Sequence, residues 1–225
     1  LESGKTKFIQ ETMEDPRFNK GERTLLLLCE EGEEEYDIST YPAKNVYQEV
    51  IEDESELNPE HLTELLEKHQ AERVVLEYNG MWQLKFLFEH IPDNWTVYQE
   101  MCFVDATTFM NYNANMRSLV VDKLNTCELV VFNRFTKDMD KMEFHKIVRA
   151  VSRRTDIAYE YTDGKVEYDQ IEDPLPFDLN APVVKIEDED YALFYRDITE
   201  EPDKYKGKTV EFKGQVARLR KEKEG

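Results

Sequence analysis

The chain has 225 residues, enough for one large domain or a domain with a smaller companion. Its 49 acidic and 29 basic side chains give a formal net charge of −20, which argues against nucleic acid or an anionic membrane surface as partner, since both are held through basic stripes. Hydrophobic residues make up 40% of the chain, sufficient for a core. No apolar run approaches the ~18 residues of a membrane-crossing helix, so no direct membrane insertion is expected. Cys29, Cys102 and Cys127 lie in or beside apolar runs at wide spacings. They read as buried free thiols of a cytoplasmic protein, not as a disulfide framework or a zinc site.

The chain opens on Leu1-Glu2-Ser3-Gly4-Lys5-Thr6, the back half of the pattern G-x-x-x-x-G-K-[ST]. In that pattern backbone N–H groups of a turn and of the next helix face phosphate oxygens. The Lys reaches the β- and γ-phosphates, and the hydroxyl ligates Mg²⁺. Ser3, Gly4, Lys5 and Thr6 are therefore candidate nucleotide-binding residues. Lys5 is also a catalytic candidate, and Thr6 a Mg²⁺ ligand. The first Gly of the pattern and its feeding strand are expected to precede Leu1; a sheet lacking that strand has unpaired edges beside the gap. Gly207-Lys208-Thr209 repeats the three-residue match.

Lys5 to about Glu14 reads as a helix, ended by Asp15-Pro16 and Asn19-Lys20-Gly21. Thr24 to Cys29 is an apolar run suited to a strand buried on both faces of a parallel sheet. Glu30 to Asp37 is rich in acids; it offers oxygen ligands to a hard cation, with a solvated turn as the plainer reading. Asn45 to Ile51 is expected to form a short helix. Asn58-Pro59-Glu60 starts another, with Leu62, Leu65, Leu66 and His69 on one face and His69 as a helix-end residue. Arg73 to Tyr78 is a strand closed by Asn79-Gly80, and Met81 to His90 a helix. Val97 to Val104 is a strand ending on Asp105-Ala106, and Thr107 to about Thr126 one helix. Glu128 to Phe132 is a buried strand ending in Asn133-Arg134. Asp140 to Arg154 is an amphipathic helix, and Ile157 to Tyr161 the last strand of the series.

This alternation predicts an α/β fold with a doubly wound, mostly parallel sheet. Residues 1–162 form the expected nucleotide-binding domain. Residues 163–182, with three prolines from Ile171 to Pro182, read as a linker. Residues 183–225 read as the start of a small β-rich domain: Val183 to Ile186, a helix over Asp188 to Asp197, and a period-two strand over Thr209 to Ala217 with Gly214 as a bulge.

In such sheets ligands sit outside the carboxyl ends of the strands. There Glu77 offers a carboxylate to hold Mg²⁺ or orient water, and Gly80 an amide to face the γ-phosphate. Asp105 is either a site residue or a cap for the following helix. Asn133 offers an amide to a purine edge, and the Arg134 stem can cover its face.

The order Gly4-Lys5-Thr6, Cys29-Glu30-Glu31-Gly32, Glu77-Tyr78-Asn79-Gly80, Val104-Asp105-Ala106 and Asn133-Arg134-Phe135-Thr136 resembles the CobW-like GTPases, relatives of the urease and hydrogenase nickel-insertion GTPases. The resemblance covers roughly Leu1 to Tyr161. It implies a P-loop fold, GTP with Mg²⁺, slow hydrolysis and a role in metal handling. Two positions depart from it. No Cys lies between Asp37 and Asn58, where the family's Cys-x-Cys-Cys would fall, and Thr136 stands in place of the guanine-reading Asp. Asp138 and Asp140 follow nearby. Residues 184–214 resemble the soluble C-terminal domain of a family of bacterial permease subunits, which implies a membrane permease partner and a nucleotide-binding part that serves as a switch in membrane transport. The runner-up reading is a non-catalytic P-loop-fold module acting as binder or scaffold for that partner, and a third is a fold that no longer takes nucleotide.

Overall fold

The run Leu25–Leu27 is almost wholly buried, and it is flanked on both sides by strands. In a computed structural model describing residues 3–30 and 36–214, β1 (Thr24–Leu28) pairs in parallel with β2 (Val46–Val50) and β3 (Arg73–Glu77), in the order β2-β1-β3. A central strand of a parallel sheet is covered on both faces, which is why the run is continuously apolar. Helix α2 (Pro59–His69) starts as its sequence dictates: the Asn58 side chain accepts from His61 N at 2.9 Å and Pro59 takes the first turn. Its Leu62 and Leu65 join Leu84 and Leu87 of α3 (Leu84–His90) over Leu25, Leu27, Ile51 and Leu57.

A second sheet holds β4 (Met101–Asp105), β5 (Leu129–Phe135), β6 (Asp156–Tyr161) and β7 (Val166–Tyr168), in that order, with only β7 antiparallel. Its core is aromatic. Phe109 of α4 (Ala106–Asn115) and Phe144 of α6 (Lys141–Arg149) pack on Phe132, Phe135 and Tyr159, with Phe132 edge-on to Phe144 at 4.9 Å. Leu124 of α5 (Arg117–Thr126) completes it. Among the described residues β3 and β4 each pair on one side only.

Helix α1 (Lys5–Glu14) and helix α3 tie the two sheets together. Phe8 of α1 lies 4.8 Å from Phe103 of β4, ring to ring. At the far end of α1, Asn19 Nδ2 donates to the carbonyl of the buried Met13 at 3.0 Å, and Asn45 Nδ2 donates to Asn19 Oδ1 at 2.8 Å. The Asn45 carbonyl in turn accepts from Thr24 N at 2.8 Å, at the start of β1. The first turn of α3 is capped from outside: Leu84 N donates to Asp122 Oδ2 of α5 at 2.9 Å. Asp122→Ala is expected to lower stability by about 1 kcal/mol, the usual worth of an N-terminal cap, read as a shift of the urea midpoint.

Several local expectations are corrected. Asn45 to Ile51 is not a helix but contains the edge strand β2; Val46, Tyr47 and Val50 suit a pleated surface, and pairing to β1 decides the matter. The strand expected over Val97 to Val104 begins only at Met101, and α3 begins at Leu84 and not Met81. The helix expected over Thr107 to Thr126 is broken at Met116 (φ −130°), where α4 ends and α5 begins. The sheet does not end at Tyr161: Asp163-Gly164 turns the chain back into β7.

The contacts divide the chain into residues 1–171 and 172–225. In the second unit, β8 (Val184–Lys185) and β9 (Val210–Glu211) pair in parallel, and α7 (Tyr191–Glu200) supplies Phe194 to a core with Phe177, Val184, Ile186 and Tyr205. The strand expected over Thr209 to Ala217 is confined to Val210–Glu211 among the described residues; its end from 215 on lies outside them.

Candidate functional site

The start of α1 is held by an unusual residue. Gly4 adopts a left-handed backbone (φ +83°), which turns the chain into the helix, and its carbonyl accepts the helical bond from Phe8 N at 3.0 Å. Just before it, the carbonyl of the buried Ser3 accepts from Asn133 Nδ2 at 2.6 Å. A Cβ on Gly4 would lie 2.6 Å from the same amide nitrogen. Only a glycine lets the helix start come this close to the end of β5.

Asn133 owes its aim to a bulge. Phe132 pairs with Tyr159 and Phe135 with Tyr161, so β5 carries one residue more than β6 between these points. Arg134 takes the strained position (φ +53°). Its guanidinium pairs with Asp105, and Asn133 is turned inward, 8% exposed. Among the described residues the Oδ1 of Asn133 is buried with no hydrogen-bond partner, an acceptor left open.

Lys5 and Thr6 extend to the ends of β1 and β3. The Lys5 ammonium forms an ion pair with Glu30, just past β1. Thr6 Oγ1 donates to Glu77 Oε1 at 2.8 Å, and Tyr36 OH donates to Glu77 Oε2. Glu77 is 4% exposed, so its carboxylate depends on these donors. Burial pushes the Tyr36 phenol far above its ordinary pKa, and the carboxylate beside it adds to the shift; Tyr36 remains a donor at any working pH. Gly80 lies in the half-buried turn three residues beyond Glu77.

Asp105 is the cap of α4, its Oδ1 accepting from Thr107 N at 2.8 Å. Burial opposes its ionisation, but hydrogen bonds from Thr107 and Arg134 prevail and hold the carboxyl below its usual range. The acids near Thr136 are engaged locally: Asp140 caps α6 by accepting from Met142 N at 2.9 Å, and Asp138 accepts from Thr136. Burial pushes the Cys29 thiol up to about 12, as for an inert core cysteine; Cys102 is half-buried and Cys127 buried, and all three are free. His69 ends α2 and meets Glu49 at 2.6 Å.

Six of the eight sequence-derived site residues thus meet in two linked groups, Ser3–Gly4–Asn133 and Lys5–Thr6–Glu77. Arg134 is directed to Asp105 instead. Sequence reasoning missed Glu30 and Tyr36 as contacts of these groups. Tyr36 is the one aromatic residue in the acid-rich run from Glu30 to Asp37, and that is its only signal. Glu31 to Glu35, part of the candidate cation ligand run, lie outside the described residues. The hydroxyl of Thr6 and the carboxylate of Glu77 are hard oxygen donors and suit Mg²⁺, which completes its shell with water and phosphate oxygens. Among the described residues no three His, Cys, Asp or Glu side chains form a metal-holding group, and no helix is long and apolar enough to cross a membrane. Two surface clefts, one lined by Lys141 and residues 166–171, the other by residues from 81 to 122, contain none of the site residues.

No family model and no curated protein matches the chain in sequence. In structure it is similar to hydrogenase maturation factor HypB from Archaeoglobus fulgidus, a crystal structure, with a TM-score of 0.50 at 15% identity over 72% of this chain and 77% of that one. The likeness is one of fold. The α/β fold of the P-loop type, with mostly parallel sheets, is therefore the fold of this chain.

Proposed function

We propose that the chain binds a nucleoside triphosphate, GTP, with Mg²⁺ at the start of α1 and hydrolyses it slowly as a switch in metal handling. The observation that carries this reading is the convergence of Gly4, Lys5 and Thr6 with Glu77 and Asn133, drawn from three separate strand and helix ends. Lys5 is assigned to the β- and γ-phosphates, with the backbone of Ser3, Gly4 and Gly80 facing the same anion. Thr6 and Glu77 hold the metal, Glu77 through its water shell or by orienting the attacking water. The metal supplies charge to the leaving phosphate oxygens; positioning and electrostatics come from these side chains. The open Oδ1 of Asn133 is an acceptor for a base N–H, and Arg134 covers the base once it leaves Asp105. The metal-handling limb rests on the resemblance to the CobW-like GTPases, and a membrane permease partner rests on that of residues 184–214 alone.

One observation favours a second reading, a non-catalytic binding or scaffold module: Lys5 and Thr6 are already engaged by Glu30 and Glu77. The test is stability against urea with Mg²⁺ plus GTP, ATP or neither. Ligand at 100 times its Kd is expected to add about 2.7 kcal/mol, and Lys5→Ala to remove that gain. No shift with any nucleotide, in the wild type and in Glu30→Gln alike, rejects both nucleotide readings. A shift without phosphate release favours the second.

A further inference from the structure

Lys5 has an acid as its partner where the nucleotide reading requires a phosphate. The two side chains are only 18% and 10% exposed, so neither charge is satisfied by water alone. Glu30 is not there by chance of side-chain wandering. Cys29 N donates to the Glu77 carbonyl at 3.0 Å, which extends the β1–β3 pairing by one step and fixes the chain at the residue before Glu30. The ends of two neighbouring strands thereby deliver two carboxylates, Glu30 and Glu77, to the first turn of one helix. Lys5 neutralises one of them. A polyphosphate arriving at Lys5 must take over the donors that Glu30 uses, and the displaced carboxylate then stands beside further negative charge.

We propose that Glu30 is a built-in counter-ion that competes with the incoming polyphosphate for Lys5 and so sets the affinity of the site. This rests on the nucleotide reading above and adds to it a residue that opposes binding. A purely structural Glu30 behaves otherwise: its loss weakens the fold and leaves affinity unchanged or lower.

The test uses the full chain, with Glu30→Gln, Glu30→Ala and the double variant Glu30→Gln with Lys5→Ala, each checked for folding by circular dichroism. Calorimetric titration with Mg-GTP and with inorganic tripolyphosphate reads the affinity. Glu30→Gln is expected to bind both ligands about tenfold or more tighter than the wild type, as expected for removing one nearby like charge. The gain is expected to vanish in the Lys5→Ala background. Glu30→Ala guards against a Gln that keeps the contact, and is expected to match Glu30→Gln. Binding seen only once Glu30 is neutralised supports the proposal most strongly. Wild-type binding with both variants equal or weaker overturns the counter-ion and leaves the nucleotide reading intact. No binding by any of the proteins overturns both.

Discussion

Gly4→Ala is expected to destabilise the fold by about 3 kcal/mol and to abolish any nucleotide-induced stabilisation. Two separate penalties add. An L-residue in the left-handed region costs about 1–2 kcal/mol, and Gly4 sits there at φ +83°. The new methyl would also lie 2.6 Å from Asn133 Nδ2, so the amide must leave the Ser3 carbonyl, at a further ~1–3 kcal/mol for overpacking and a lost buried hydrogen bond. Gly164→Ala is the internal control. Its φ is +84°, but nothing lies within 4 Å of an added Cβ, so it carries only the backbone penalty. Urea midpoints of the two variants measure the difference. Equal losses would mean that the Gly4–Asn133 approach contributes nothing.

Glu77→Gln is expected to lower the rate of phosphate release at saturating Mg-GTP by about 100-fold or more, the usual worth of a positioned base or charge in a transition state. The amide keeps the size of the side chain and can still accept from Thr6 or Tyr36, so the fold is held while the charge is lost. Tyr36→Phe removes one donor and keeps the carboxylate, and a smaller loss is expected from it. Single-turnover release after rapid mixing separates chemistry from binding. A Glu77→Gln protein that releases phosphate at the wild-type rate would remove Glu77 from the reaction and favour the binding-module reading.

The parallel fold was legible where its strands are buried on both faces. Leu25–Leu27 and Val130–Phe132 announce themselves as apolar runs without alternation, and their flanking caps, Asn58, Asp105 and Asp140, have side-chain chemistry that acts locally. What was not legible was decided across space. Val46–Val50 has mixed polarity because it lies at an edge, and only its register against β1 makes it a strand. The break at Met116 carries no Pro or Gly to mark it. In the site, Gly4, Lys5 and Thr6 belong to one motif and could be found by spacing. Glu30 is 25 residues from Lys5 and Tyr36 is 41 from Glu77, separations that no local pattern spans. Asp105 was open to two readings from sequence; the hydrogen bond from Thr107 N makes it a cap, with Arg134 as its ion-pair partner.

Helix α1 is clamped at both ends to opposite edges of the molecule's strands. At one end Gly4 and Thr6 rest on the carboxyl ends of β5 and β3; at the other Met13 is tied through Asn19 and Asn45 to the amino end of β1. A ten-residue helix is about 15 Å long, and each residue advances it by about 1.5 Å and turns it by about 100°. Its length is therefore set to the residue. An insertion or deletion within α1, however conservative in composition, would rotate one clamp out of register with the other, so this segment tolerates exchange of side chains far better than any change in their number.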